Sequence, residues 1–438
     1  MAAPDLRTVE LHLPGLRVLE HELDVPLDHT TATNTTADTT AASLVVFARE
    51  VSAVDDGRDK PALLFLQGGP GQEATRPFGA PLTSGWMARA LRDFRLVLLD
   101  QRGTGRSTPV GDLPGMTPSQ QADYLAHFRA DSIVRDAELL REALGIERWS
   151  LLGQSFGGFC SLTYLSLAPS SLTSVHVTGG LAPIGMSPDD VYAATWAQMR
   201  VLSARYHERY PHDLERLRSL HAELAEREIR TTTGDRVTSR TLRAAGHGLG
   251  MSDGADALHA LLERPVDSPA FRADIADPLG LARNPLYLLV HEACYADGFT
   301  TAWAAERTRP DDFGDPAAGG DPALLSGEHV GGWLLDPERG GVGALAPVAE
   351  AARLLADRPW PRLYDPSVLD GVARGADAVP VAAAIYLDDP YVLAEHSRAT
   401  AALLGARTWI TDELLHNGLR ADGDRVLSRL FDMTAGRL

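Results

Sequence analysis

Residues 149–158 read WSLLGQSFGG, and this stretch decides the fold. Its first four residues form an apolar run that is typical of a strand buried on both faces. The pattern Gly-x-Ser-x-Gly follows around Ser155, and a helical run over 159–167 comes next. A serine in this context lies on a sharp strand-to-helix turn, where small glycines let neighbouring backbone pass closely. The stretch therefore predicts that Ser155 is a nucleophile between a strand and a helix.

Similar apolar runs predict further strands of the same sheet on either side of this unit. They cover residues 62–66, 96–99 and 175–177, and a helical segment lies at 131–144. Alternating strands and helices predict the α/β class, with a mostly parallel sheet covered on both faces. The first 60 residues instead alternate in hydropathy, which predicts antiparallel strands. Residues 30–42 among them predict a flexible hairpin tip.

The strand pattern disappears over residues 183–350 and then returns twice. Ser187 stands directly before a proline, as at a helix start, and residues 190–229 carry apolar side chains at helical spacing. We therefore predict a helical cap domain over 183–350. It is inserted after the sixth strand of a core that comprises residues 1–182 and 351–438.

A nucleophilic serine needs a base, and the base needs an acid that orients it. In folds with this serine turn, the acid precedes the histidine along the chain. The first returning strand ends at Asp388 and Asp389, and the second is followed by His416. The register of the strand favours Asp389 over Asp388 as the acid. We favour His416 over His396 as the base, because His396 lies in the helix predicted after the acid strand.

The turn QGGPG at residues 67–71 follows the strand 62–66 and predicts an oxyanion hole. A tetrahedral intermediate needs two backbone N–H donors that point at its oxyanion. Phe156, directly after the nucleophile, is expected to supply one donor. Gly68 or Gly69 is expected to supply the other, because glycine permits the backbone angles and the close approach.

Composition limits the partners of the chain. The sequence has 438 residues, 44% of them hydrophobic, and a formal net charge of −18. Such a surface repels nucleic acid and anionic lipid, and no apolar run reaches the roughly 20 residues of a membrane span. The two cysteines, Cys160 and Cys294, form no metal or disulfide motif. We therefore expect a cytoplasmic protein that acts on a short peptide or on a small amide or ester.

In combination, these motifs resemble the proline iminopeptidases (prolyl aminopeptidases), a family of serine peptidases with the α/β-hydrolase fold. The resemblance rests on residues 67–71, 100–107, 153–158, Asp389 and 416–420, which together span most of the chain. One departure is the glutamine that opens the first motif, where many members carry histidine; the backbone donors survive this change. The resemblance implies release of an N-terminal residue, typically proline, through an acyl-enzyme. This chemistry needs no metal or cofactor.

The resemblance also implies acidic cap residues that hold the free amine of the substrate. A buried ammonium group requires a carboxylate partner. The candidates are Glu292 and Glu306, and the nearby Tyr295 and Trp303 are candidates for an apolar pocket around a proline ring. Both glutamates also fit ordinary structural roles, since Glu306 is next to Arg307 on a possible solvated helix face.

Two other functions fit the same sequence. An esterase, amidase or lactonase could use the same scaffold, because a fold does not fix a substrate. Carboxylates in the cap pocket favour the aminopeptidase, whereas an entirely apolar pocket would favour an esterase. A non-catalytic binding protein is the other alternative, and the predicted set of nucleophile, base, acid and oxyanion donors argues against it.

Overall fold

The chain, as a computed structural model, is described for residues 6–30, 42–55, 57–78, 83–376 and 378–438. Most of the predicted hairpin tip at 30–42 lies outside the described residues. The strands are β1 (Arg7–Leu13), β2 (Leu16–Pro26), β3 (Ser43–Ala53), β4 (Ala62–Leu66), β5 (Arg95–Asp100), β6 (Trp149–Gln154), β7 (Leu172–Thr178), β8 (Ile229–Arg230), β9 (Arg236–Val237), β10 (Val381–Tyr386) and β11 (Arg407–Thr411).

Within the described residues, nine strands form one sheet in the order β1-β2-β3-β5-β4-β6-β7-β10-β11, and β8 pairs with β9. The pairs β1–β2, β2–β3 and β3–β5 are antiparallel. The remaining pairs of the large sheet are parallel. This topology confirms the α/β class and the antiparallel strands predicted for the first 60 residues.

The helices connect and cover these strands. They are α1 (Gly85–Asp93), α2 (Pro118–Leu125), α3 (Ala130–Ala143), α4 (Phe156–Leu167), α5 (Pro188–Arg209), α6 (Pro211–Glu226), α7 (Ser239–Ala244), α8 (Gly254–Leu262), α9 (Pro269–Asp274), α10 (Pro285–Val290), α11 (Ala304–Arg307), α12 (Ala349–Ala356), α13 (Pro366–Leu369), α14 (Ala394–Leu404), α15 (Gly418–Ala421) and α16 (Gly423–Thr434). Short 3-10 turns lie between them, of which Ala245–Gly250 and Glu292–Cys294 matter below. Among the described residues, no helix combines the length and the apolarity needed to span a bilayer.

Strand β4 shows why the parallel strands read as unbroken apolar runs. Successive side chains of a strand point to opposite faces of the sheet. Leu63 and Phe65 pack into the apolar cluster that includes α1 and α16, whereas Leu64 and Leu66 pack into the larger cluster that includes α3 and α4. Helices therefore cover both faces of the sheet, and every position of β4 is buried.

The name cap is used here for residues 183–350, whose bounds remain a prediction. This region begins after β7, the seventh strand in chain order. Ser187 caps α5 by accepting a hydrogen bond from the backbone N–H of Asp190. The helical pattern predicted over 190–229 is divided into α5 and α6 at Pro211, because proline favours an extended residue before it and starts a new helix.

The nucleophile turn is crowded by backbone. Ser155 separates β6 from α4 and has φ 53° and ψ −124°, a conformation that costs a non-glycine residue on the order of 1–3 kcal/mol. A Cβ atom at Gly157 would lie 1.8 Å from the carbonyl oxygen of Leu66, and one at Gly158 would lie 2.3 Å from that of Gly180. Only glycine allows α4 to start this close to β4 and β7.

The segment 100–107 braces the glycine turn after β4. The carboxylate of Asp100 accepts hydrogen bonds from the backbone N–H groups of Ala74 and Arg106, at 3.1 and 3.0 Å. The side chain of Gln101 donates to the carbonyl oxygen of Gln67 at 3.0 Å. These contacts fix the turn that faces Ser155.

We expect Gly157→Ala to destabilise the protein severely. The added methyl group would overlap the backbone of β4, which cannot move aside as a side chain can, so the free energy of unfolding should fall by about 3 kcal/mol or more. Urea unfolding measures this change. Gly111→Ala is the matched control, because a Cβ atom there meets nothing within 4 Å; an equal effect of both variants would contradict the crowding argument.

Candidate active site

Ser155 and His416 are joined by a hydrogen bond. The Nε2 atom of His416 lies 2.9 Å from the Oγ atom of Ser155, and both residues are buried. Ser155 is held by its own backbone, since its N–H donates to the carbonyl oxygen of Thr178 at 3.1 Å. The distance allows the imidazole to take the hydroxyl proton.

Asp389 lies on the opposite side of the imidazole. Its Oδ2 atom is 2.7 Å from the Nδ1 atom of His416. Its Oδ1 atom accepts hydrogen bonds from the N–H groups of Tyr391 and Val392, at 2.9 and 3.1 Å. Asp388 instead forms an ion pair with Arg205 of α5 at 2.6 Å. The structure thus brings Asp389, and not Asp388, to His416.

The pKa of His416 reflects two opposing effects. Burial disfavours the charged imidazolium and lowers the pKa, while the charge and the hydrogen bond of Asp389 raise it, with a further contribution from the charge of Glu328. The carboxylates prevail, and the pKa of His416 is raised above its ordinary value. His416 is therefore set to accept a proton and to be stabilised once it has done so.

The loop that carries His416 is attached to the cap. The N–H of His416 donates to the carbonyl oxygen of Gly250 at 3.0 Å. Asn417 exchanges two hydrogen bonds of 3.0 Å with Ser252, one from its amide to the hydroxyl and one from the backbone N–H of Ser252 to its own side-chain oxygen. The hydroxyl group of Tyr391 accepts from the N–H of Gly250 and donates to the carbonyl oxygen of His247. The 3-10 turn of the cap thus holds both the base loop and the acid loop.

The residues predicted to supply the oxyanion donors lie near Ser155. Phe156 begins α4, where a backbone N–H has no partner within the helix. A Cβ atom at Gly68 would lie 3.0 Å from the Cβ atom of Ser155, so the glycine turn is in contact with the nucleophile. The N–H of Gly68 donates to the side-chain oxygen of Gln67 at 3.1 Å. Gly68 and Gly69 both line the cavity at Ser155.

A cavity of about 310 Å³ opens above Ser155 and is lined by both core and cap residues. His247, Met251, Tyr287 and Glu328 come from the cap. Apart from His416 and His247, the ionisable acidic and basic side chains among the described residues of this lining are Glu328 and Arg420. The cavity therefore offers one carboxylate and one guanidinium to a ligand.

Glu328 is half-buried in the wall of the cavity. Burial raises the pKa of its carboxyl group to about 7, although the nearby charge of His416 acts in the opposite direction. The histidines around it stay neutral, because burial lowers the pKa of His247 to about 4 and that of His291 to about 3. A cationic group that enters the cavity would thus meet a carboxylate beside two neutral histidines, and His416 is the neighbouring imidazole whose charge acts on that carboxylate.

The four cap residues predicted to bind substrate lie elsewhere. The carboxylate of Glu292 accepts hydrogen bonds from the N–H groups of Ala304 and Ala305, at 3.1 and 2.9 Å. The carboxylate thus accepts the hydrogen bonds of N–H groups in the first turn of α11, which have no partner within the helix. Trp303 lies with Glu292 in a separate small cleft. The structure thus does not bring these two residues to Ser155.

Glu306 and Tyr295 are also outside the cavity at Ser155. Glu306 forms an ion pair with Arg240 at 2.7 Å in another cleft of the cap. The ring of Tyr295 packs edge-on against Phe159, with 5.5 Å between ring centroids. Glu328 was not among the residues predicted to bind substrate. Its local signal is the position of an acidic side chain between Gly327 and the glycines at 331 and 332.

The chain is similar to known proteins over nearly its whole length. A profile of the family described as "alpha/beta hydrolase fold" matches residues 61–238. A proline iminopeptidase from Aeromonas sobria is 43% identical over 429 residues, which cover 96% of this chain and 97% of the relative. One from Aspergillus aculeatus is 29% identical over 97% of this chain and 95% of the relative. Among solved structures, the proline iminopeptidase-related protein from Thermus thermophilus is 18% identical, covers 95% of this chain and 98% of its own, and has a TM-score of 0.40.

The two neighbouring aspartates should differ sharply when each is changed to asparagine. Asp389→Asn removes the charge that stabilises the imidazolium and favours the wrong tautomer, so kcat should fall about 10⁴-fold. Asp388→Asn removes only a surface ion pair, and kcat should stay within about twofold. Hydrolysis of an activated ester measures both. A larger loss in Asp388→Asn would show that the acid has been misassigned.

Proposed function

Because the chain belongs to the proline iminopeptidase family, we propose that it is a serine aminopeptidase that releases N-terminal proline from short peptides. The observation that carries this proposal is the presence of Glu328 in the same cavity as the Ser155 hydroxyl group. An aminopeptidase must hold a free ammonium group beside its nucleophile, and a partly buried ammonium requires a carboxylate. Glu328 meets this requirement, whereas Glu292 and Glu306 are engaged elsewhere.

The proposed reaction begins with acylation of Ser155. The substrate ammonium pairs with Glu328, which sets the carbonyl carbon of the first residue next to the Oγ atom. His416 takes the hydroxyl proton as the oxygen attacks, and Asp389 stabilises the resulting imidazolium. His416 then gives this proton to the nitrogen of the leaving peptide. The C–N bond breaks, and the prolyl group remains on Ser155 as an ester.

Deacylation repeats these steps with water. His416 removes a proton from the attacking water, and the ester bond to Ser155 breaks as the proton returns to the Oγ atom. In both halves the oxyanion is stabilised by backbone N–H groups of Phe156 and of the glycine turn. The N–H of Gly68 must exchange its Gln67 partner for the oxyanion, or the adjacent Gly69 supplies the second donor.

A panel of anilides tests the proposed function. Unblocked proline anilide should be hydrolysed in preference to other unblocked aminoacyl anilides, and its N-acetylated form should be resistant because it has no ammonium group. Ser155→Ala should remove this activity, since the acyl-enzyme cannot form. Labelling by a fluorophosphonate probe provides a second readout.

The other possible results of the panel would point to one of the two alternative functions. Equal turnover of blocked substrates or of simple esters would make the protein a general esterase or amidase. Absence of both turnover and labelling would leave a binding protein with this fold.

Glu328→Gln should weaken recognition of the free amine. The loss of a charge-assisted contact should raise KM for proline anilide and lower kcat/KM about 10- to 100-fold. In the wild type KM should rise as the pH falls through about 7, since Glu328 becomes protonated and neutral below its raised pKa. The variant should lack this dependence.

Glu306→Gln is the matched control for Glu328→Gln, because Glu306 lies in another cleft of the cap. An activated ester without an amine should be hydrolysed at a similar rate by the wild type and by Glu328→Gln. An equal loss on this ester would assign Glu328 to the chemistry or to the fold instead of to amine binding.

A further inference from the structure

The cavity at Ser155 is lined by a cationic side chain that has no role in the proposed reaction. Arg420 belongs to α15, four residues after His416, and its side chain lines the same cavity as Ser155 and Glu328. It is the one arginine or lysine among the described residues that line this cavity. The reaction needs no cation, so Arg420 is available for recognition.

The present partner of Arg420 leaves the guanidinium accessible. One of its nitrogens lies 3.2 Å from an oxygen of Asp253, and the two side chains are 68% and 74% exposed. An ion pair this exposed contributes little to stability. Arginine has five N–H donors, and among the described residues Arg420 directs one nitrogen to Asp253. A second anion can therefore bind Arg420 or displace Asp253.

The two charged side chains of the cavity differ in depth. Glu328 is half-buried in the wall formed by the cap, whereas Arg420 is exposed. A free dipeptide has the matching charges, with an ammonium group at one end, a carboxylate at the other and the scissile bond between them. Its two charged ends stand roughly 7 Å apart when extended, and those of a tripeptide roughly 10 Å. Both lengths are compatible with a cavity of about 310 Å³.

The overall negative charge of the protein makes a cationic side chain in the cavity important for binding a carboxylate. The formal net charge is −18, so most of the surface repels the carboxylate of a free peptide. A local guanidinium can offset this repulsion at the site and can bind a carboxylate in a bidentate manner. Arg420 provides that group in the same cavity as Glu328 and Ser155.

We propose that Arg420 binds the C-terminal carboxylate of the substrate, so that the preferred substrates are free dipeptides and tripeptides that begin with proline. This inference rests on the proposed aminopeptidase function and specifies its substrate class. Asp253 acts as the resting partner of Arg420 and is displaced by the substrate carboxylate.

A matched pair of substrates tests this inference. The dipeptide Pro-Ala and its C-terminal amide differ only in the carboxylate, so the ratio of their kcat/KM values isolates recognition of that group. In the wild type the free acid should be preferred about tenfold or more, as expected for a charge-assisted contact. In Arg420→Gln this ratio should fall about tenfold. Because both substrates are measured on the same variant, a general folding defect cancels in the ratio.

Two further variants complete the experiment. Arg425→Gln is the matched control, since Arg425 is an exposed arginine of α16 that pairs with Glu413 and does not line the cavity; its ratio should equal that of the wild type. Asp253→Asn removes the competing carboxylate, and its ratio should be at least that of the wild type. Equal ratios in the wild type and Arg420→Gln, or a lower ratio in Asp253→Asn, would overturn the inference. If the wild type hydrolysed neither Pro-Ala nor its amide, the proposed function itself would be overturned.

Discussion

The close approach of helix α4 to the ends of β4 and β7 is the constraint on which the site depends. The first turn of α4 lies so near the carbonyl oxygens of Leu66 and Gly180 that no side chain fits at Gly157 or Gly158. Ser155 stands directly before this turn and has backbone angles that are unfavourable for a residue other than glycine. The glycine turn after β4 also lies against Ser155, so the same crowded region contains the proposed oxyanion donors.

Hydrogen bonds between the cap and the core make the catalytic loops part of one network. The backbone of His416 is bound to Gly250, and Asn417 is bound to Ser252. The ring of Tyr391 packs edge-on against that of His416 with 4.8 Å between centroids, and its hydroxyl group contacts the same cap turn. The cap therefore supports the orientation of the base in addition to supplying Glu328, and a displacement of the 3-10 turn would disturb binding and proton transfer together.

The sequence predicted those parts of the site that depend on local backbone geometry. The strand, the glycines and the helix around Ser155 are adjacent along the chain, so one motif contained the whole arrangement. Asp389 and His416 followed from the order of strands, because residues at the carboxyl ends of parallel strands meet at one edge of the sheet. Contacts between residues that are distant in sequence could not be predicted in this way. Glu292 has aromatic neighbours like those of a binding residue, but the first turn of α11 uses its carboxylate.

Glu328 could not be predicted from the sequence for a related reason. Its loop reaches the cavity through the packing of the cap, and no helical or strand pattern marks it.

The chain order of the proposed catalytic residues has a consequence for biosynthesis. The base follows the nucleophile by 261 residues, and the intervening polypeptide includes the entire cap. During translation, the strand and helix that hold Ser155 emerge before the cap and can fold early. The nascent chain lacks His416, the proposed base, until the cap has been made, so the proposed pair of Ser155 and His416 can form only after the polypeptide that lines the cavity above it.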